Sequence, residues 1–339
     1  MKLKKRYRQH NASGPFLQQC QLKILPAKLW LARSPQMTNI YIKCIFVLLL
    51  SCLLISCASS HDKPDPYWLK LANEYSANGV SLYERQRYKA SSVEFMRAYN
   101  AYQRFDYVKG TSQSLLNLAK VEIAQRNYVQ ANTYLHKLDL LILDNNFTNL
   151  SVHVDIMRSS IAINENNLKL ALEIIGKYIP VNGNNQLQLD NELYMALLTN
   201  RLRLAFMKKQ DIDNWINTYS NHAGEDSLYQ ARLYRFKGQQ AGFLSDVKNI
   251  NLFFSNALEV YRSEANPGAV LLTHKEWAEA LKANNKLADA AIHLETVYTV
   301  AKLAQNEYES TNALNLLLEI YMQLDDTDNA ARINHLLMN

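Results

Sequence analysis

From Pro66 onward apolar residues recur at intervals of three and four, and Gly and Pro are rare inside the long segments. Such spacing puts one apolar stripe on a helix, so the pattern predicts successive amphipathic helices. The pattern also repeats. Gly79-x-x-Leu82-x5-Tyr88-x-x-Ser91-x3-Phe95-x-x-Ala98 recurs as Ala119-x-x-Glu122-x5-Tyr128-x-x-Ala131-x3-Leu135-x-x-Leu138. Further copies run Ser159, Ala162, Leu168, Ala171, Ile175, Tyr178; Gly238, Ala241, Val247, Ile250, Phe254, Ala257; Ala278, Leu281, Leu287, Ala290, Leu294, Val297; and Leu318, Tyr321, Thr327, Ala330, Asn334, Leu337. The anchors 91, 131, 171, 250, 290 and 330 are spaced by 40, 40, 79, 40 and 40. A divergent fourth copy near Asp211 to Trp215 fills the long gap, so seven helix pairs of about 40 residues span 67–339.

The alternation of small and bulky positions resembles the tetratricopeptide repeat. A small residue in the first helix lets the second approach, Tyr88 or Tyr128 opens the second helix, and Ala131, Ala171, Ala290 and Ala330 sit where repeats meet. The period of 40 exceeds the family's usual length of about 34. Each helix is therefore expected to run about a turn longer, as in the long-repeat members such as kinesin light chains. The resemblance implies an all-α fold, an α-α superhelical solenoid of about seven tetratricopeptide-like helix pairs. Turns are expected at Gln86-Arg87, Arg126-Asn127, Asn166-Asn167, Asn284-Asn285-Lys286 and Asp325-Asp326.

Ahead of the repeats, Cys44 to Ile55 forms an uncharged run of 12 residues after Lys43. As a helix it spans about 18 Å, short of a hydrocarbon core of about 30 Å. That length suits the apolar core of a signal peptide. The run closes on Leu54-Ile55-Ser56-Cys57 and then Ala58-Ser59-Ser60, which resembles the bacterial lipobox. The resemblance implies cleavage of a 37–56 signal peptide, lipidation of Cys57 and a lipidated tether over 57–66. The Cys thiol is the nucleophile that takes the diacylglyceryl group. Ala58, in place of the Asp that retains such proteins in the inner membrane, implies the periplasmic face of the outer membrane. Met37 stands where a precursor of this kind begins, so 1–36 is read as a basic extension from a mis-assigned start; a genuine long extension or an organellar transit segment is the alternative.

Charge supports this division. Nine of the 37 Lys and Arg and none of the 31 Asp and Glu fall within residues 1–56, so the remainder carries 28 bases against 31 acids. Nucleic-acid binding calls for a clustered basic face, and the repeat region has none in sequence. Of the four Cys, Cys20, Cys44 and Cys52 precede the cleavage site, so a mature chain would hold only Cys57. No disulfide, thiolate nucleophile or Cys-bound zinc is expected.

No phosphate-binding glycine loop, nucleophile elbow or HExxH motif occurs, so no catalytic residue, cofactor or metal is expected. His61, His136, His153, His222, His274, His293 and His335 form no i,i+4 pair. Asp325-Asp326-Thr327-Asp328 lacks the glycine and terminal Glu of a calcium loop and reads as a turn. Asn146-Phe147-Thr148 and Asn149-Leu150-Ser151 match glycosylation acceptors without a role in a bacterial periplasm.

In the repeat family the first helix of each pair lines the concave face. Carried onto this chain, the inward positions are Asn73, Ser76, Tyr83, Gln113, Lys120, His153, Ser160, Asn164, Lys275, Glu279, Lys282, Asn312, Asn315 and Glu319. They are polar and of mixed charge, which suits an extended peptide; a solvated face is the bland alternative. The expected role is a membrane-anchored scaffold binding a protein or peptide of an envelope assembly machine: barrel assembly, pilus assembly or peptidoglycan synthesis control. A regulatory subunit of an envelope enzyme, or a cytosolic repeat regulator lacking a signal, is the alternative.

Overall fold

The computed structural model describes residues 65–145, 147–180 and 189–338. Residues 1–64, with the signal segment, the lipobox and Cys57, lie outside the described residues, as do His61 and Asn146. A compact unit runs from Asp65 to Asn339.

The described residues form fourteen α-helices and no strand. They fall into seven pairs: α1 (Tyr67–Glu84) with α2 (Tyr88–Arg104), α3 (Val108–Ala124) with α4 (Tyr128–Asn145), α5 (Thr148–Asn164) with α6 (Leu168–Gly176), α7 (Asn191–Lys208) with α8 (Ile212–Ala223), α9 (Ser227–Phe243) with α10 (Val247–Ser263), α11 (Pro267–Ala283) with α12 (Leu287–Leu303), and α13 (Glu307–Gln323) with α14 (Thr327–Met338). Successive helices pack on one another down the chain, the arrangement of a helical-repeat solenoid.

The period has a local cause. Most helices span 17 residues, and three-residue turns join most of them. In most of these turns a left-handed residue ends one helix and its successor opens the next. Gln86, Asp106, Arg126, Asn166, Ser245, Ala265, Asn285, Gln305 and Asp325 all have positive φ. At the first, the amide of Gln86 donates to the Tyr83 carbonyl and that of Arg87 to the Leu82 carbonyl. This is the paired closure of a Schellman turn, satisfying carbonyls the helix leaves open. At several turns the next residue, an Asn or Asp, also caps the following helix. Asn167, Asp246, Asn266 and Asn306 each accept a bond from an amide three residues on. Seventeen helical residues and three turn residues, taken twice, give the spacing of 40.

Small residues set the distance between paired helices. A Cβ built on Gly79 of α1 would lie 2.6 Å from the Phe95 ring of α2, and one on Gly238 of α9 would lie 2.7 Å from the Phe254 ring of α10. The equivalent positions hold Ala119 with Leu135 and Ala278 with Leu294. Glycine thus faces Phe and alanine faces Leu, conserving volume across the interface. Ser91 reinforces the close approach by donating from Oγ to the Gly79 carbonyl at 2.7 Å.

The fourth pair departs from the pattern at both edges. Before it, α6 is only nine residues long. Within it, Lys209 and Asp211 are both left-handed and α8 shortens to 12 residues. The spacing slips here, yet Thr199 of α7 lies 40 residues after Ser159 and occupies the same small position.

Candidate functional site: the inner wall of the first helices

Polar side chains on the first helices of neighbouring pairs meet one another and form a wall. On α5, Ser160 and Asn164 accept hydrogen bonds from Arg203 of α7 at 3.1 and 2.6 Å. Asn200 of α7 donates to Ser159 Oγ at 2.9 Å. Arg235 of α9 grips Glu276 of α11 with two parallel bonds, Nε to Oε2 at 2.8 Å and Nη2 to Oε1. Lys275 of α11 reaches both carboxylate oxygens of Glu309 of α13, at 3.0 and 2.8 Å. Lys282 of α11 pairs with Glu319 of α13 at 2.7 Å. Toward the start of the solenoid, Lys120 of α3 lies 4.7 Å over the ring of Tyr83 of α1.

The inward residues therefore fall into distinct groups. Tyr83 meets Lys120; Ser160 and Asn164 meet Arg203; Lys275 and Glu279 share a neighbourhood with Glu309; Lys282 meets Glu319. Asn73 instead accepts from the Tyr102 hydroxyl of its own pair at 2.7 Å. Gln113 bonds Asn117 along α3 at 3.4 Å. Ser76, His153 and Asn312 are half-buried, and Asn315 is exposed.

The wall is crowded but wet. Lys120 and Glu279 remain exposed, yet burial among neighbouring atoms is the largest influence on each. It lowers the Lys120 pKa and raises that of Glu279. For Glu279, Lys275 and Arg126 oppose the rise while Glu276 and Glu309 add to it. Glu279 of the sixth pair feels Arg126 of the second, so the two face one another across the bore that the solenoid curves around. Burial likewise lowers the Arg203 pKa, against the pull of Glu276. Burial works in the same direction on Arg235, but Glu276 and the Tyr261 hydroxyl hold it above its ordinary value.

The sequence pattern does not single out Arg203 and Arg235. The signal was present, because Arg203 lies four residues after Thr199 and Arg235 three before Gly238, both inward offsets. Arg203 lies in the divergent fourth copy, whose small position the repeat pattern does not mark. A pair of histidines also meets in space. His274 of α11 and His293 of α12 approach Nδ1 to Nδ1 at 3.0 Å, with the Trp277 ring stacked 4.0 Å from His293. Burial lowers both pKa values to about 4, and for His274 the neighbouring His293 and Arg262 lower it further. They stand 19 residues apart on successive helices, so no spacing within one helix could reveal them.

Among the described residues no three His, Cys, Asp or Glu gather to hold a metal, and no helix is long and apolar enough to cross a membrane. No family model matches the chain, and no curated protein does either.

Proposed function

We propose that this protein is a lipid-anchored scaffold on the periplasmic face of the outer membrane, and that its inner wall engages a protein or peptide of an envelope assembly machine. One observation carries the binding part. From Ser160 to Glu319, first helices of five consecutive pairs offer amides, guanidinium groups and carboxylates in an unbroken line. That is the chemistry of polypeptide recognition by side-chain hydrogen bonds. The anchor rests on Leu54-Ile55-Ser56-Cys57 after an uncharged apolar run. Two or more acyl chains hold a protein at a membrane where a single one binds marginally.

The tether is short. Residues 58–66 extend at most about 30 Å, which keeps the wall close to the membrane. Two experiments test the proposal together. Palmitate labelling should be lost in Cys57→Ser, and blocking the lipoprotein signal peptidase should leave a larger precursor. In-cell crosslinking from the wall should then capture partners concentrated in one envelope machine. Unacylated protein, or crosslinks spread over unrelated proteins, would refute it.

A further inference from the structure

Three contacts join the two ends of the repeat array in one register. Gln86, the left-handed turn residue of the first pair, is 3 % exposed and donates from Nε2 to the Pro267 carbonyl at 3.0 Å. Pro267 opens the first helix of the sixth pair. Arg126, the corresponding turn residue of the second pair, stacks 4.7 Å over the ring of Tyr308. Tyr308 is the second residue of α13, the first helix of the seventh pair. Between them Lys89 pairs with Glu307 at 2.7 Å. Each early turn therefore docks five pairs further on. A Cβ built on Gly268 would lie 3.7 Å from Gln86 Cγ, an ordinary contact distance, so the turn residue lies against the start of α11.

Charges also face one another inside this seam, of both signs. Arg203 of α7 feels Glu276 of α11 together with the like charges Arg235 and Arg126, and Glu279 of α11 feels Arg126 of the second turn together with Glu276 and Glu309. The three contacts at the rim therefore carry the closure. The rim itself is thin, since it is held by side chains and no helix of one side lies along a helix of the other. Lys89 and Glu307 are 70 % and 77 % exposed, so salt screens their attraction.

We propose that this seam is a side-chain latch, closing one superhelical turn over the inner wall, and that a polypeptide reaches the wall only when the latch parts. The last step rests on the scaffold reading above; closure itself does not. The test uses the mature chain and needs no partner. Carbodiimide, which joins amines and carboxylates already in contact, should link Lys89 to Glu307 in wild-type protein at low salt. Links between Lys275 and Glu309 and between Lys282 and Glu319 serve as internal controls for repeat stacking. A bulky succinimidyl polyethylene glycol should modify Lys120 slowly. In Lys89→Glu, which places two carboxylates together on the exposed rim, Lys120 should react about two- to fivefold faster, the shift expected from one surface charge contact. The swap Lys89→Glu/Glu307→Lys should restore the slow rate. Control links without the Lys89–Glu307 link would overturn closure. Equal Lys120 rates in all three proteins would overturn gating. Neither result depends on whether an envelope partner exists, so failure of the scaffold reading would be seen separately.

Discussion

Replacing Gly79 by Ala sets two well-measured effects against each other. In an isolated helix the change stabilises by about 1 kcal/mol, because glycine pays more backbone entropy. In this solenoid the new Cβ would lie 2.6 Å from Cδ1 and Cε1 of Phe95 and 3.0 Å from its Cγ. Carbon atoms settle at about 3.5–4.0 Å, so the overlap approaches 1 Å. Phe95 cannot swing aside, being 2 % exposed, and the Ser91 bond to the Gly79 carbonyl ties the two helices together. Overpacking of this kind costs about 1–3 kcal/mol. The packing cost should win, leaving Gly79→Ala about 1 kcal/mol less stable.

The second pair supplies the compensating change, with Ala119 and Leu135 in the same positions and both fully buried. Phe95→Leu alone should cost about 1–2 kcal/mol through lost burial and a cavity. Combined with Gly79→Ala the methyl group refills that space, so the double variant should be more stable than the sum of the single changes by about 1–2 kcal/mol. Repeat arrays can unfold in parts. The cycle is therefore best read from urea unfolding followed by amide hydrogen exchange within α1 and α2. A Gly79→Ala protein that gains the helix-propensity stabilisation, or a cycle additive to within about 0.5 kcal/mol, would refute close packing as the origin of the small position.

Four further outcomes follow from the same structure. His274 and His293 have folded pKa values near 4, whereas an unfolded histidine titrates near 6.5. Their stabilising contribution is complete above pH 6.5 and is lost as pH falls toward 4. The ceiling is about 3 kcal/mol for buried His274 and less for half-buried His293; urea midpoints that stay level between pH 6.5 and 5 would refute it. Ala265 carries a φ of 51°, so Ala265→Gly should stabilise by up to about 1 kcal/mol, read as a higher urea midpoint. Glu276→Gln leaves the Arg235 guanidinium buried without its counter-charge and should cost about 3–5 kcal/mol, whereas Glu307→Gln at the exposed rim should change the urea midpoint little. Arg203→Met should retain the fold, yet abolish in-cell crosslinks formed from the wall near Asn164.

The repeat period was legible because each of its parts leaves a trace in sequence. Gly79, Ala119, Ser159, Gly238 and Ala278 mark close helix contacts, and the residues 16 positions on mark what fills them. The expected turns stand where the sequence places them, but their left-handed residues were only half legible. Asn166, Asn285 and Asp325 belong to residue types that tolerate left-handed backbone, but Gln86, Arg126 and Gln305 do not announce it. Those turns are imposed by the hydrogen-bonded closure and by packing on both sides. On the wall, the positions carried over from the repeat family include Ser160, Asn164, Lys275, Lys282 and Glu319, which meet partners on neighbouring first helices, but they do not include Arg203, in the divergent fourth copy, or Arg235. The His274–His293 contact and the docking of Gln86 on Pro267 had no signal in any window. Both join residues whose separation depends on how many helices intervene and how each pair rotates on the last.

Those long-range contacts bear on what the wall can bind. Its carboxylates are largely engaged: Glu276 by Arg235, Glu309 by Lys275 and Glu319 by Lys282. Among the described residues no carboxylate lies within salt-bridge distance of Lys120, Arg126 or Arg203; they lie against Tyr83, Tyr308, Ser160 and Asn164. A ligand that offered cations would compete with Arg235 for Glu276 and with Lys275 for Glu309, and displacing either leaves a largely buried charge unmatched. A ligand that offered carboxylates would meet Arg203 and Lys120, cations that burial among neighbouring atoms disfavours, and charge-assisted bonds to such groups are the stronger kind. The wall therefore favours an acidic segment over a basic one. Because Arg126 serves both the rim and the bore, such a segment would draw Arg126 off Tyr308 and weaken the seam it passed through. Binding and opening are then coupled through one side chain, so Arg126→Ala should loosen the closed turn and weaken capture of an acidic peptide in the same variant.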